Sequence, residues 1–359
     1  MKPIEERENL ADEEFLTEIR GQTKPVVLRG LVKDWPVVKA ARISSQACAA
    51  YISRFAGPEQ HKIGVAPFEA RGLLHYNKDL TGLSFEWEHA DVANFLQVLL
   101  DEGDFDNPRG LALQALRVAS SLLGFEDANP RPSFAPPHAN AHMWIGNALK
   151  IATHSDTVEN IACVVAGKRR FTIFPPDQIS NLYIGPLHFT PAGTPVSMVH
   201  LTEPDFEKYP KFAQALEHAQ YVDLYPGDAI YLPFRWYHHV EAIEKFNILL
   251  NYWWTDARPS IGSANTALNH ALYSIGNMPP EQRDAWREVF DHFVFHKYGD
   301  PWAHIPEHAR GALANVRDED IAGIREGLIE QIKKGWCGGG WRNNPFPLHK
   351  CHAAKYRFG

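Results

Sequence analysis

Between Leu111 and Trp254 the chain breaks into short apolar or alternating runs separated by Pro, Gly, Asn and Asp, and this texture most constrains the fold. Runs of that length suit strands and are too short for buried helices. Candidate strands are Met143–Ile145, Leu149–Thr153, Ile161–Val165, Arg170–Phe174, Ala229–Leu232, His238–Ala242 and Phe246–Trp254. So many short strands in one stretch predict a sandwich or barrel. Pro191–Pro195 and Glu203–Pro210 punctuate a long insertion in its middle.

The flanks read differently. Upstream, Lys24–Gly30 is a β-rich run, Asp34-Trp-Pro36 reads as a turn, and Ser44 or Ser45 caps a helix to about Phe55. A second helix buries Val92, Phe95, Leu96, Leu99 and Leu100 on one face and ends at Gly103. Downstream of Ser260, Trp286, Val289, Phe290, Phe293 and Val294 form one helical stripe and Ile321, Ile324, Leu328 and Ile332 another. The expected organisation is a strand and helix region over 1–108 packing on the core, a β core over 109–258, and a helical region over 259–359. The fold class is therefore mainly β with helices (α+β). Apolar helices appended to a complete β core must cover something, and we expect them to pair with a second copy as a homodimer.

At 359 residues the chain is long enough for one large domain or two. A formal net charge of −7 supplies no basic field for a phosphate backbone, so nucleic acid is not an expected partner. Met1–Phe15 is acidic and lacks an apolar stretch, no apolar run is long enough to span a membrane, and four cysteines make no disulfide framework. Together these point to a cytoplasmic protein. Cys163, inside an apolar strand, is expected as a small core residue. Cys337, His349, Cys351 and His352 near the C-terminus lack the Cys-x-x-Cys spacing of a zinc site.

One constellation carries chemistry. His154-Ser-Asp156 follows a strand-like run, and in extended chain residues two apart point the same way, so an imidazole and a carboxylate converge. Further on, Pro226-Gly-Asp-Ala-Ile-Tyr-Leu-Pro233 is a turn feeding a strand, followed by the tandem pair His238-His239. Two histidines and one carboxylate on two strands occupy one face of an octahedron, the donor set of non-haem Fe(II) oxygenases. Against this, a His-x-Asp step is also an ordinary polar turn, and the chain holds 18 histidines.

Residues 143–254 carry Met-Trp-Ile-Gly-Asn, Thr-His-Ser-Asp-Thr-Val-Glu-Asn, Gly-Lys-Arg-Arg-Phe-Thr-Ile-Phe-Pro-Pro-Asp, Tyr-Pro-Gly-Asp-Ala-Ile-Tyr-Leu-Pro, Trp-Tyr-His-His-Val-Glu and Asn-Tyr-Trp-Trp in that order. This pattern resembles the cupin-like JmjC-domain oxygenases, and within them is similar to the asparaginyl hydroxylase that inhibits the hypoxia-inducible factor. The resemblance implies a double-stranded β-helix (a cupin or jelly roll) binding Fe(II) and 2-oxoglutarate, with His154, Asp156 and His238 as metal ligands and His239 as a neighbour. It also implies that Arg169 holds the distal carboxylate of 2-oxoglutarate, with Asn160, Asn251 and Ile151 lining the cosubstrate pocket. Gln114, Trp253 and Trp144 fall on the substrate side. Lys168 and Arg170 point the other way and are expected to be solvated. Ala112 departs from the pattern, since a tyrosine that hydrogen-bonds the cosubstrate is expected there. The implied activity is hydroxylation of a C–H bond, with a protein side chain as first candidate substrate. A small-molecule oxygenase and a non-catalytic ligand-binding cupin are the alternatives.

Overall fold

The computed structural model describes residues 1–334 apart from Ala192, so the cysteines and histidines of the last residues lie outside the described residues. Met1–Thr255 is one compact unit and the chain from Asp256 a second.

The first unit contains β1 (Lys2–Pro3), β2 (Glu5–Glu8), β3 (Val26–Arg29), β4 (His61–Ala66), β5 (Leu73–Leu74), β6 (Glu86–Ala90), β7 (Gly110–Arg117) and β8 (Asn140–Gly146). It continues with β9 (Lys150–Ser155), β10 (Glu159–Ala166), β11 (Arg169–Phe174), β12 (Gln220–Leu224), β13 (Ala229–Leu232), β14 (Tyr237–Ala242) and β15 (Asn247–Trp254). They form two mostly antiparallel sheets. One has the order β1-β12-β11-β14-β9-β5, the other β2-β3-β13-β10-β15-β8-β7-β4-β6. This is the double-stranded β-helix expected from the run of short strands.

Strand alternation builds two cores. Along β10, Ile161, Cys163 and Val165 join the larger cluster, which also takes Ile248, Leu250, Tyr252 and Trp254 of β15. Val37, Val38, Cys48, Ile52, Phe95, Leu96 and Leu99 come from helices Pro36–Ile43, Ser45–Ser53 and Val92–Glu102 to cover this outer face. On the other face Ala162, Val164 and Leu249 meet Phe171, Ile173 and Val240 of the opposing sheet. The side chains of the candidate site project into this inner layer.

Local chemistry explains the helix ends. Ser44 caps Ser45–Ser53 by accepting from the Ala47 amide, and Asp91 caps Val92–Glu102 through the Asn94 amide. The helix Pro36–Ile43 is not apparent from the Asp34-Trp-Pro36 turn reading, because proline at the first helical position starts a helix as readily as it breaks one. The chain also reaches both sheets before Lys24. β1 lies beside β12 and β2 beside β3, with the buried Ile4 between them in the inner core.

The second unit contains helices Ala264–Ser274, Pro280–Phe293 and Ile321–Lys334. Leu268, Leu272, Trp286, Val289 and Phe293 are exposed. Among the described residues no helix is long and apolar enough to cross a membrane.

Candidate metal centre

β9 and β14 pair antiparallel, with His238 opposite His154 and Val240 opposite Ile151. Between these pairs, Ala152 and Thr153 stand together opposite His239. This β-bulge resets the alternation of β9, so that Ile151 and His154, an odd number of residues apart, both face inward. Ile151 accordingly packs on the inner cluster, and the His154 and His238 rings lie 4.3 Å apart.

Asp156 follows β9 in the short connection to β10. Its backbone carbonyl accepts from the Arg235 amide at 3.1 Å, which ties this connection to the turn before β14. Arg235 adopts a left-handed backbone, φ 65°, to make that turn. One ligand atom from each of His154, Asp156 and His238 falls within 4.8 Å of the others, and His238 Nε2 is 3.8 Å from Asp156 Oδ2.

The imidazoles are oriented by their own strands. His154 Nδ1 is 2.8 Å from the Ala152 carbonyl and His238 Nδ1 is 3.1 Å from that of Trp236. A carbonyl only accepts, so Nδ1 carries the proton and Nε2 keeps its lone pair for a metal. Burial, reinforced by the neighbouring His154 and opposed by Asp156, lowers the His238 pKa to about 4, so the ring is neutral at pH 7. Two neutral imidazole nitrogens and a carboxylate oxygen on one side of a point fit a divalent first-row ion of the iron type. His239 points to the opposite side of the sheet. Burial holds its pKa at about 3, and neither nitrogen has a hydrogen-bond partner among the described residues.

Arg169 shares the inward face of β11 with Phe171 and Ile173. Only 6% of it is exposed, and burial pushes its guanidinium down to about 9, still cationic at neutral pH. Its Nη2 makes one long bond, 3.4 Å, to the Trp144 carbonyl, and its Nε has no partner. Lys168 and Arg170 face away, as expected, but are not simply solvated. Both pair with Asp223, at 2.9 and 2.7 Å, and Arg170 first of all holds that carboxyl at about 2. The partner on β12 is distant in sequence, which hides it from a local reading.

Asn160 and Asn251 are buried on the inner face and bonded to each other, with Asn251 Nδ2 donating to Asn160 Oδ1 at 2.8 Å. Trp253 stacks obliquely on His142, ring centroids 4.8 Å apart, and meets Trp144 edge-on at 5.9 Å. Gln114 is half-buried at a second bulge, where Gln114 and Ala115 together oppose Trp144 and Ala115 has φ 50°. Ala112 is packed among Ala66, Phe85, Leu149 and Ala242, so apolar contacts surround the position where a tyrosine was expected. His142 went unrecognised in the sequence. It lies two residues before Trp144 on β8, directly opposite Asn251, and the same alternation that selects Trp144 selects it.

A double-stranded β-helix with two imidazoles and a carboxylate gathered at its inner face defines a cupin-type protein with a candidate metal site. The chain belongs to the cupin-like domain family, JmjC type, whose model matches residues 11–259. It is similar to the tRNA wybutosine-synthesizing protein 5 of Gallus gallus, 23% identical over 296 residues that cover 76% of this chain and 88% of that protein. The lysine-specific demethylase JMJ31 of Arabidopsis thaliana is 29% identical over 139 residues, 38% of this chain and 25% of that protein. The human HSPB1-associated protein 1 is 25% identical over 251 residues, 64% of this chain and 47% of that protein.

Proposed function

We propose that the protein is an Fe(II)- and 2-oxoglutarate-dependent oxygenase that hydroxylates a C–H bond, with a polypeptide side chain as its substrate. The observation that carries this reading is Arg169, a guanidinium enclosed in the same inner layer as the triad and facing no carboxylate among the described residues. An unpaired buried charge costs several kcal/mol, on the order of what a well-placed counter-ion restores. A dicarboxylate cosubstrate bound in this layer would have a carboxylate to offer such a fork.

A ferrous ion and 2-oxoglutarate, when bound, supply oxygen activation coupled to oxidative decarboxylation of the cosubstrate. The chain's own part is placement. His154, Asp156 and His238 would hold the ion, Arg169 would anchor the cosubstrate, and the inner sheet faces would exclude water. Trp144, Trp253, His142 and Gln114 line the wall against which a substrate would lie. A polypeptide is favoured over an RNA because the chain's net charge of −7 gives no attraction for phosphates.

The test is succinate formation from 2-oxoglutarate with Fe(II), ascorbate and O2. Wild type should turn over slowly without substrate and faster with the right peptide in a pool, and Asp156→Ala should fall to background. Stimulation by tRNA in place of peptides would reassign the substrate. A wild type that neither makes succinate nor binds 2-oxoglutarate with an anaerobic metal would instead be a ligand-binding cupin.

The exposed apolar side chains Leu268, Leu272, Trp286 and Phe293 support a second copy of the chain as the partner of the C-terminal helices. Sedimentation equilibrium should report a dimer, and Leu272→Glu with Trp286→Glu a monomer. A monomeric wild type at micromolar concentration would sink this assignment.

A further inference from the structure

We propose that Arg117 is a specificity residue, selecting a peptide substrate that carries an acidic side chain a few residues from the hydroxylated one. The proposal rests on the oxygenase reading above and names a substrate class for that site. Arg117 ends β7 directly opposite His142 of β8, just as its neighbour Leu116 stands opposite Met143. Leu116 and Met143 are buried in the outer core, so alternation turns Arg117 and His142 to the inner face. His142 stacks on Trp253, which meets Trp144, and the guanidinium therefore stands at the rim of the aromatic wall.

Arg29, Arg109 and Arg170 each pair with a carboxylate. Arg117 is exposed, and among the described residues its guanidinium has no ion pair or hydrogen bond. A second base faces it instead. Burial lowers the His142 pKa, the Asn140 carbonyl opposes this, and Arg117 lowers it further. Two bases set opposite each other with no acid beside them are unfavourable in a sheet, and an incoming carboxylate relieves the pair. A guanidinium accepts that group through two parallel bonds. A phosphate backbone is held by several cations at once, so this arrangement suits an isolated acidic side chain better. The negative charge of the whole chain does not oppose this, because exposed charges more than about 8 Å away are largely screened at physiological ionic strength.

The position of Arg117 sets the spacing. β7 lies three strands from β10 in the order β10-β15-β8-β7, and Asn160 of β10 bonds Asp156 of the candidate metal centre. Three strand spacings amount to roughly 14 Å. An extended peptide lying across the strands covers that distance in about four residues, and in fewer where the arginine side chain reaches inward.

The test uses the full chain with Fe(II), 2-oxoglutarate, ascorbate and O2, and randomised peptide pools that differ only in one position fixed as Glu, Gln or Lys. Hydroxylation is read by mass spectrometry as the gain of an oxygen atom. Wild type should prefer Glu pools to Gln pools in kcat/KM by about 5-fold, the scale of one exposed ion pair, and by less at high salt. The preference should lie in KM, with kcat alike for the two pools. Arg117→Lys should keep it, Arg117→Gln should level it, and Arg117→Glu should move it to the Lys pools. A weakened fold would slow all pools together and could not reverse the preference, and the melting temperature of each variant checks the fold separately. An active wild type that hydroxylates no pool, or takes Glu and Gln pools alike, would overturn the assignment, as would variants that keep the wild-type preference. Turnover stimulated by tRNA and not by peptides would overturn it too. Wild type that neither forms succinate nor binds 2-oxoglutarate would instead remove the oxygenase reading, and this proposal with it.

Discussion

Arg169→Met is expected to make the ligand-free protein more stable while abolishing its hold on 2-oxoglutarate. The guanidinium sits in an apolar layer with Phe171, Val240 and Leu249, and among the described residues it keeps one long hydrogen bond and faces no carboxylate. Removing such a charge in favour of a side chain of similar length stabilises by on the order of 1–4 kcal/mol. For a chain of this size that corresponds to a rise of roughly 3 °C or more in melting temperature. The same change deletes the only charge-assisted contact proposed for the far carboxylate, so affinity should fall by about 100-fold or more. Thermal melts of wild type and variant, with and without 2-oxoglutarate and Mn(II), separate the two effects. Wild type should gain stability from the ligand and the variant should not. A variant that melts lower than wild type yet still responds to 2-oxoglutarate would show that Arg169 supports the fold and leaves the cosubstrate to another group.

Acid should unfold the metal-free protein well above the pH at which carboxylates protonate. His239 and His238 are held neutral, with pKa values of about 3 and about 4, chiefly by burial. In the unfolded chain both return to about 6.5. Between those limits the unfolded state binds protons that the folded state refuses, so stability is full above about pH 6.5 and lost as pH falls towards the folded values. Each such imidazole contributes a slope that approaches about 1.4 kcal/mol per pH unit below pH 6.5, so the pair removes about 3 kcal/mol between pH 6.5 and 5. Burial lowers His75, His142 and His200 as well, which adds in the same direction. Urea unfolding at pH 7, 6 and 5 measures the slope, and His239→Gln should remove about half of the pair's share. A midpoint that stays flat over this range would mean the buried rings accept protons without cost.

Much of this was readable from the residues because it depends on neighbours in sequence. Period two selects His154 with Asp156 without reference to any partner strand, although Asp156 lies just past the end of β9. Helix caps at Ser44 and Asp91 are likewise local. Features set by distant pairing were not readable. Asp223 neutralises Lys168 and Arg170 from another strand, and the bond from Asn160 to Asp156 needs the β9–β10 connection to fold back on itself. Pro36 shows a different limit, since the same residue ends a helix or begins one according to what precedes it. His142 was within reach, because it occupies the same face of β8 as Trp144.

The extra residue at Ala152–Thr153 makes the centre sensitive to chain length where it is tolerant of side chain. Many small substitutions at Ala152 or Thr153 would leave Ile151 and His154 on the interior. Removing one of the two would turn either Ile151 or His154 outward, and with it half of the site, although no functional side chain had been touched. Natural variation in this segment should therefore appear as exchanges of residues and never as insertions or deletions. That gives a way to recognise working copies of this protein by counting residues between Ile151 and His154.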